Sequence, residues 1–304
     1  MLLEKLTQGL SVNVNPGYRI YSVEDINRVT RRERWRTIYD PNKAMRIIQI
    51  RFRRHLRELH VFLPHATAIP QFNPRLNVAR HVHNRFFYLT DLKNAYQNVS
   101  FKQWVNILAS LDLNTKREEI EKASLRFLFV TTREGLPSGL VTGGLASAEV
   151  FNIYAGMTLD VHLRALAIRH NLVYTRFLDD LTFSSKSPIG EKKRKQIRDV
   201  ILKAGFTPNH RKSQVHDLEK GPLVITGIGL ARGDRRFLPR HFTQRINTAL
   251  NRAEKGKETP SRIHGLMGVF AQATDMSNTL NRTELRIRRR YRKVRNNQKN
   301  NKEK

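Results

Sequence analysis

The sequence predicts an α+β protein, an α/β sandwich built on one sheet with helices packed on one face. Short apolar runs bounded by turn residues alternate with stretches whose apolar residues recur every three or four positions. Three acids, Asp91, Asp179 and Asp180, stand at the ends of runs that read as sheet strands. No internal repeat is visible, and 304 residues are enough for two or three subdomains.

The elements follow in order. Residues 1–17 form an N-terminal segment with a short helix ending near Pro16-Gly17, and "YRIYSV" and "WRTIYDP" read as strands bracketing a charged loop. After Pro41, the spacing of Met45, Ile48, Phe52, Leu56 and Leu59 marks an amphipathic helix. Its Arg46, Arg53, Arg54 and Arg57 fit a solvated basic face and an RNA-facing one equally. "FFYLTDL" reads as a buried strand ending in Asp91, and a helix follows from Ser100 through "FKQWVNILASL". "FLFVTTREGLPSGLVTGG" reads as a strand followed by a loop rich in Gly and Pro, and Leu145 to Arg169 returns to helix. "LVYTRFLDDLTFSS" reads as two short strands with Asp179-Asp180 at their turn. Ser187-Pro188 opens and Gly205 closes a helix around "EKKRKQIRDVILKA". "PLVITGIGL" is extended, the chain from Pro239 is helical and basic, and the segment past Val294, which has no apolar residue, reads as disordered.

Composition narrows the function. Fifty-six Lys and Arg against 26 Asp and Glu give a net charge of +30, which implies a polyanionic partner. An anionic membrane surface is the rival, but no apolar run approaches the roughly 20 residues that span a bilayer, and no signal-peptide core is seen. Zero cysteines exclude disulfides and argue against a structural zinc site. A cytoplasmic nucleic-acid-binding protein, with no membrane partner, is the expectation.

The adjacent acids Asp179 and Asp180 have two readings. Aspartate is a good turn residue, and turn chemistry alone accounts for it. The other reading is a metal site: a strand carrying Asp, then a helix, then a hairpin carrying Asp-Asp is what a two-metal polymerase palm needs. There, two Mg²⁺ ions about 3.5–4 Å apart activate a hydroxyl and stabilise the leaving pyrophosphate. Carboxylates suit such hard cations.

From about Tyr18 to Ser277 the chain resembles bacterial reverse transcriptases, and most closely the retron type, with the motifs in the family's order. "YRIYSV…RWRTIYDP" resembles the fingers segment, where Arg36 and Arg34 match triphosphate-contacting positions. In "FFYLTDLKNAY", Asp91 matches the first metal-binding aspartate and Tyr96 the steric gate against ribose 2′-hydroxyls. "LPSGLVTGG" resembles motif B, with Ser138 and Gly139 beside the incoming nucleotide, and "FLDD" resembles motif C. "AGFTPNHRKS" resembles motif D, whose lysine, here Lys212, is matched to protonating pyrophosphate. "ITG" and "SRIHGLMGVF" resemble the retron Val-Thr-Gly signature and the start of a thumb helix.

The departures are specific. "NVARH" has Val78 for Ala in the family's Asn-Ala-x-x-His signature, Ser138 replaces a Gln, and Phe177 and Leu178 replace Tyr and Ala. None removes a metal ligand. Several residues keep a plainer account. Lys212 is also a good phosphate-facing surface lysine, Tyr96 a good core residue, His81 a good structural hydrogen-bonder, and Thr226-Gly227 a good strand turn.

The resemblance implies a right-hand polymerase: N-terminal segment 1–17, fingers 18–85, palm 86–230 with part of the fingers, a short helical thumb 231–290 and a disordered basic tail 291–304. It implies catalysis and metal binding by Asp91, Asp179 and Asp180, with Lys212 as general acid. Arg34, Arg36, Tyr96, Ser138 and Gly139 would bind dNTP, and Asn77, His81, Thr226 and Gly227 would bind RNA. Two Mg²⁺ ions, or Mn²⁺ in their place, would be the cofactors. The partners would be a cognate noncoding RNA and its DNA product, dNTPs and a defence effector protein. The product would be single-stranded DNA, self-primed from a guanosine 2′-hydroxyl and linked to that RNA. An abortive-infection or diversity-generating reverse transcriptase is the alternative, and a non-catalytic RNA scaffold a further one.

Overall fold

The computed structural model describes residues 2–10, 15–24, 35–68, 74–274 and 281–300. The chain begins with α1 (Leu2–Thr7) and an antiparallel pair, β1 (Tyr18–Glu24) and β2 (Trp35–Pro41), followed by α2 (Lys43–Glu58). Asn42 caps α2 by accepting from the Met45 amide at 2.9 Å, and the predicted stripe Met45, Ile48, Phe52 and Leu56 is buried. Arg46 and Arg57 of this helix pair with Asp40 and Glu149.

Next come α3 (Pro74–Ala79), β3 (Phe86–Lys93), α4 (Phe101–Leu111) and α5 (Arg117–Phe127), then the hairpin β4 (Phe129–Thr131) and β5 (Pro137–Leu140). Two expectations shift here. Phe127 closes a helix instead of opening a strand, and "PSGL" is strand rather than loop. The long helix from Ser147 to Arg169 is α6 (Ser147–Ala155) and α7 (Val161–Arg169), joined by a π-helical turn, Gly156–Asp160.

The central sheet uses β3, β6 (Val173–Phe177), β7 (Asp180–Ser185), β8 (Thr207–Pro208) and β9 (Gln214–Asp217). All pairings are antiparallel: β7 lies between β6 and β3, and β8 and β9 share the other edge of β3. Tyr88, Phe183 and Tyr174 are opposite one another in register, with ring centroids 6.2 and 4.8 Å apart. This aromatic row fixes the register on the helix-covered face. Between β7 and β8, α8 (Glu191–Lys203) ends in a Schellman motif: Gly205, at φ +82°, donates to Leu202, and Phe206 donates to Ile201.

A second apolar core forms around β10 (Leu223–Ile225), β11 (Ile228–Leu230), β12 (Arg236–Phe237), α9 (Arg240–Glu254), α10 (Pro260–Thr274) and α11 (Arg282–Asn300). It reaches back to Val78 of α3 and Phe87 of β3, on the sheet face opposite the aromatic row.

The expected disorder of 291–304 is corrected by α11, which runs to Asn300; residues 301–304 lie outside the described residues. Asn281 and Glu284 form a capping box at its start, each accepting from the other's amide at 2.9 Å. Ile287, Tyr291 and Val294 turn inward at helical spacing, and Arg290 grips Glu254, Asn247 and Asn251 of α9. Among the described residues, no helix is long and apolar enough to cross a membrane.

Candidate active site

The three aspartates converge at one end of the central sheet. Asp91 lies within β3 rather than at its end, directly opposite Asp180, the first residue of β7. Phe177 also pairs with Asp180, so Leu178 and Asp179 make a two-residue turn. The turn is tied to β3 by the Leu92 amide, which donates to the Asp179 carbonyl at 2.9 Å. Leu178 has φ +54°, a left-handed conformation that costs a non-glycine residue roughly 1–2 kcal/mol. Such strain persists only where surrounding contacts hold it.

Asp91 is nearly buried. Its Oδ2 accepts from Lys212 Nζ at 3.0 Å and Asn209 Nδ2 at 3.2 Å, while its buried Oδ1 has no hydrogen-bond partner. Asp179 and Asp180 reach solvent, but protein packed around the turn thins their hydration. That desolvation, then repulsion from Asp91, raises the Asp179 carboxyl above its usual range, against the pull of Lys212 and Arg36. Asp180 is raised to about 6 by desolvation and then by Asp179 and Asp91. The site concentrates negative charge within a basic protein.

The surrounding residues close on this centre. Arg36 of β2 is near enough for its charge to act on Asp179; Arg34 lies outside the described residues. Tyr96 is half-buried with its ring edge-on to Phe151 at 5.3 Å, and its hydroxyl is raised to about 12 by desolvation and the Asp179 charge. It thus satisfies the packing account while lying beside the acids. Its carbonyl accepts from the Leu140 amide at 2.9 Å, which latches β5 to this turn. Gly139, at φ +75°, passes so close that a Cβ would sit 2.5 Å from the Gln97 Cα. Ser138 is exposed beside it.

A family profile described as "Reverse transcriptase (RNA-dependent DNA polymerase)" matches residues 26–238, well over half of the chain. The chain belongs to the reverse transcriptase family. It is 26% identical over 256 residues to the retron Mx65 reverse transcriptase of Myxococcus xanthus, covering 78% of this chain and 57% of that protein. It is also 26% identical over 216 residues to the retron Ec86 reverse transcriptase of Escherichia coli, covering 69% and 62%. The chain therefore spans about three fifths of the length of these relatives. Telomerase from Candida albicans, solved with a fragment of telomeric RNA, shares the α+β polymerase fold at a TM-score of 0.52 and 10% identity, covering 86% of this chain and 55% of that one.

Reverse transcriptases generally use divalent metal ions. The residues fit such an ion: Asp91 presents a buried, unpartnered carboxylate oxygen, and Asp179 and Asp180 crowd like charge against it. Among the described residues no three His, Cys, Asp or Glu side chains close into a cage.

Two assignments are corrected. Asn77 and His81 are buried and bonded to protein, so neither side chain touches RNA. Thr175 Oγ1 donates to Asn77 Oδ1 at 2.5 Å, and His81 bridges Thr175 and Ser184 at 2.7 Å each. Asn77 Nδ2 donates to Thr226 Oγ1 at 3.2 Å. These bonds join α3 to β6, β7 and the β10–β11 turn. Thr226 and Gly227 form that turn with φ of +46° and +86°, the pattern of a type I′ hairpin.

Because Thr175 donates to Asn77, His81 must donate to Thr175 through Nε2, and in a ring kept neutral by burial Nδ1 accepts from Ser184. Burial, with Arg80 nearby, lowers its pKa to about 3. Between pH 6.5 and about 3 the unfolded chain binds a proton that the folded protein refuses. Stability present above that window is lost as pH falls through it. Thermal melts should show a steeper acid-side loss for wild type than for His81→Gln.

The sequence reading missed Asn209, which orients the Asp91 carboxylate, and the buried trio Arg176, Asp160 and Asn152 beneath the Leu178–Asp179 turn. Asn209 lay within the quoted "AGFTPNHRKS". Arg176 had a weaker signal, a charge inside an apolar strand.

Proposed function

We propose that the protein is an RNA-directed DNA polymerase of the retron type, copying part of a cognate structured noncoding RNA into single-stranded DNA. The observation that carries this reading is the register pairing of Asp91 with Asp180 across β3 and β7, with Asp179 on the adjoining turn and Asp91 Oδ1 unpartnered.

When bound there, two Mg²⁺ ions, replaceable by Mn²⁺, supply activation of a primer hydroxyl and neutralise charge on the departing pyrophosphate. Asp91 and Asp179 would hold them, with Asp180 a weaker or peripheral ligand. Lys212, paired with Asp91 at 3.0 Å, would face the leaving pyrophosphate, as proton donor or as plain positive charge. Arg36 grips triphosphate oxygens with a fork that lysine lacks, and Arg34 is assigned the same task. Tyr96 stands where a ribose 2′-hydroxyl would project, beside Ser138 and Gly139. Residues 18–85 serve as fingers, 86–230 as palm, and the helices from 231 to the end of α11 as thumb. Exposed Arg286, Arg288, Arg289 and Arg292 of α11 suit the phosphates of an A-like duplex, read by shape. Thr226 and Gly227 remain candidates for RNA contact through the turn they form.

In the retron reading, synthesis starts from a 2′-hydroxyl of the RNA, the product stays RNA-linked, and the protein acts in the cytoplasm in antiphage defence with an effector protein. The test is to express the protein with its flanking locus and isolate the nucleic acid that co-purifies with wild type and with Asp179→Ala/Asp180→Ala. A discrete DNA in wild type alone, shortened by RNase, is the expected result. RNA alone in both would favour a scaffold, and DNA without attached RNA another reverse transcriptase class. For Tyr96→Ala, the ratio of ribonucleotide to deoxyribonucleotide incorporation should rise about tenfold or more, since discrimination by an added hydroxyl rests on the occupied volume.

A further inference from the structure

Arg176 lies on β6, three residues before Asp179, and its side chain is fully buried on the sheet face opposite the acids. All of its N–H donors find acceptors. Nε donates to Asp160 Oδ1 at 2.9 Å, and Nη2 donates to Asp160 Oδ2 at 2.9 Å and the Asn152 carbonyl at 3.2 Å. Nη1 donates to Asn152 Oδ1 at 2.9 Å and to the Leu178 carbonyl at 3.2 Å. The last bond reaches the catalytic turn itself.

The partners are anchored in turn. Asp160 Oδ1 accepts from the Tyr174 hydroxyl at 2.7 Å, and Asn152 Nδ2 donates to the Ala68 carbonyl at 2.9 Å. The guanidinium also lies 5.5 Å from the centroid of Phe151, the ring on which Tyr96 rests. The π-helical turn has a clear purpose here. In an unbroken α-helix, residues eight apart, such as Asn152 and Asp160, would point about 80° apart. The wider turn at Gly156–Asp160 takes up one extra residue and brings both onto the face that holds Arg176.

We propose that Arg176, held by Asp160 and Asn152, is a positioning residue that fixes the Leu178–Asp179 turn for nucleotidyl transfer; this rests on the polymerase reading. Its hydrogen bond to the Leu178 carbonyl restrains a leucine at φ +54°, and the Asp179 carbonyl then meets the Leu92 amide. Released from Arg176, Leu178 relaxes toward negative φ and carries Asp179 away from Asp91.

A buried ion pair that serves only stability is replaceable by apolar groups of similar volume. The test therefore uses Arg176→Met/Asp160→Leu in the full chain, with Arg176→Lys as the second variant should the first not fold. Lysine keeps the charge but lacks the fork that reaches Asp160, Asn152 and Leu178 together. In a folded variant, kcat for incorporation should fall about tenfold or more while KM for dNTP stays within about twofold. Exchange of the Leu92 amide should quicken by about tenfold or more, with the Phe86–Leu89 amides unchanged. Retention of kcat, or unchanged exchange at Leu92, overturns the proposal. A wild type that makes no DNA defeats the polymerase reading instead, and the exchange measurement still decides the role of Arg176.

Discussion

Asp179→Asn is expected to melt at a higher temperature than the wild type in the absence of ligands and to incorporate nucleotides roughly a thousandfold more slowly. The two effects share one cause. Folding brings Asp179 toward Asp91 and strips it of water, which raises its carboxyl above the usual range. A neutral amide of the same shape removes that repulsion but offers a cation no charge. Asp180→Asn should show the same stabilisation with a smaller loss of turnover. For Asp180 the sign and window are set by a folded value of about 6 against 3.8 for the free side chain. The folded protein binds the proton more tightly, so the penalty from Asp180 is absent below pH 3.8 and complete once pH has risen through about 6. The gain in melting temperature of Asp180→Asn over wild type should open across that interval, the reverse of the His81 contribution. Melting curves at stepped pH check the first effect, and single-nucleotide incorporation checks the second.

The second large effect is expected from Gly139→Ala. The added methyl would lie 2.5 Å from the Gln97 Cα and 2.7 Å from its carbonyl oxygen, both backbone atoms with little room to yield. The φ of +75° adds left-handed strain for alanine. Together these should destabilise the protein by about 2–5 kcal/mol or push β5 off the Tyr96 turn. Denaturant unfolding reads the first outcome, and a raised KM for dNTP with weakened discrimination against ribonucleotides reads the second. Ser138→Ala, one residue earlier and exposed, should leave stability nearly unchanged, which separates backbone geometry from side-chain chemistry in this loop.

The hairpin carrying Asp179 and Asp180 was legible because apolar runs flank a two-residue turn, and α2 because its apolar spacing is regular. Register was not: nothing in "FFYLTDL" says that Asp91 sits mid-strand opposite Asp180, because cross-strand pairing is a long-range property. Asn77 and His81 were matched to RNA binding by the family signature alone, although His81 also fits a structural hydrogen-bonder. Their burial depends on Thr175 and Ser184 arriving from strands about a hundred positions away. The same holds for Arg176, whose charge is tolerable only because a π-helical turn delivers Asp160 to it. The end of α11 was misread by counting apolar residues after Val294. Arginine and lysine are good helix formers, and the helix is anchored earlier by the Asn281–Glu284 box and by Ile287, Tyr291 and Val294.

The reading rests on Asp91, Asp179 and Asp180 forming one centre for metal-assisted DNA synthesis on RNA. The measurement that tests it most directly is extension of a DNA primer on an RNA template by the full chain, with dNTPs and Mg²⁺, in wild type and in Asp91→Asn. Expected is extension by wild type that chelation of the metal stops, and none by Asp91→Asn, although both bind the duplex equally. Equal extension by the two proteins, or duplex binding without extension by wild type, would contradict it.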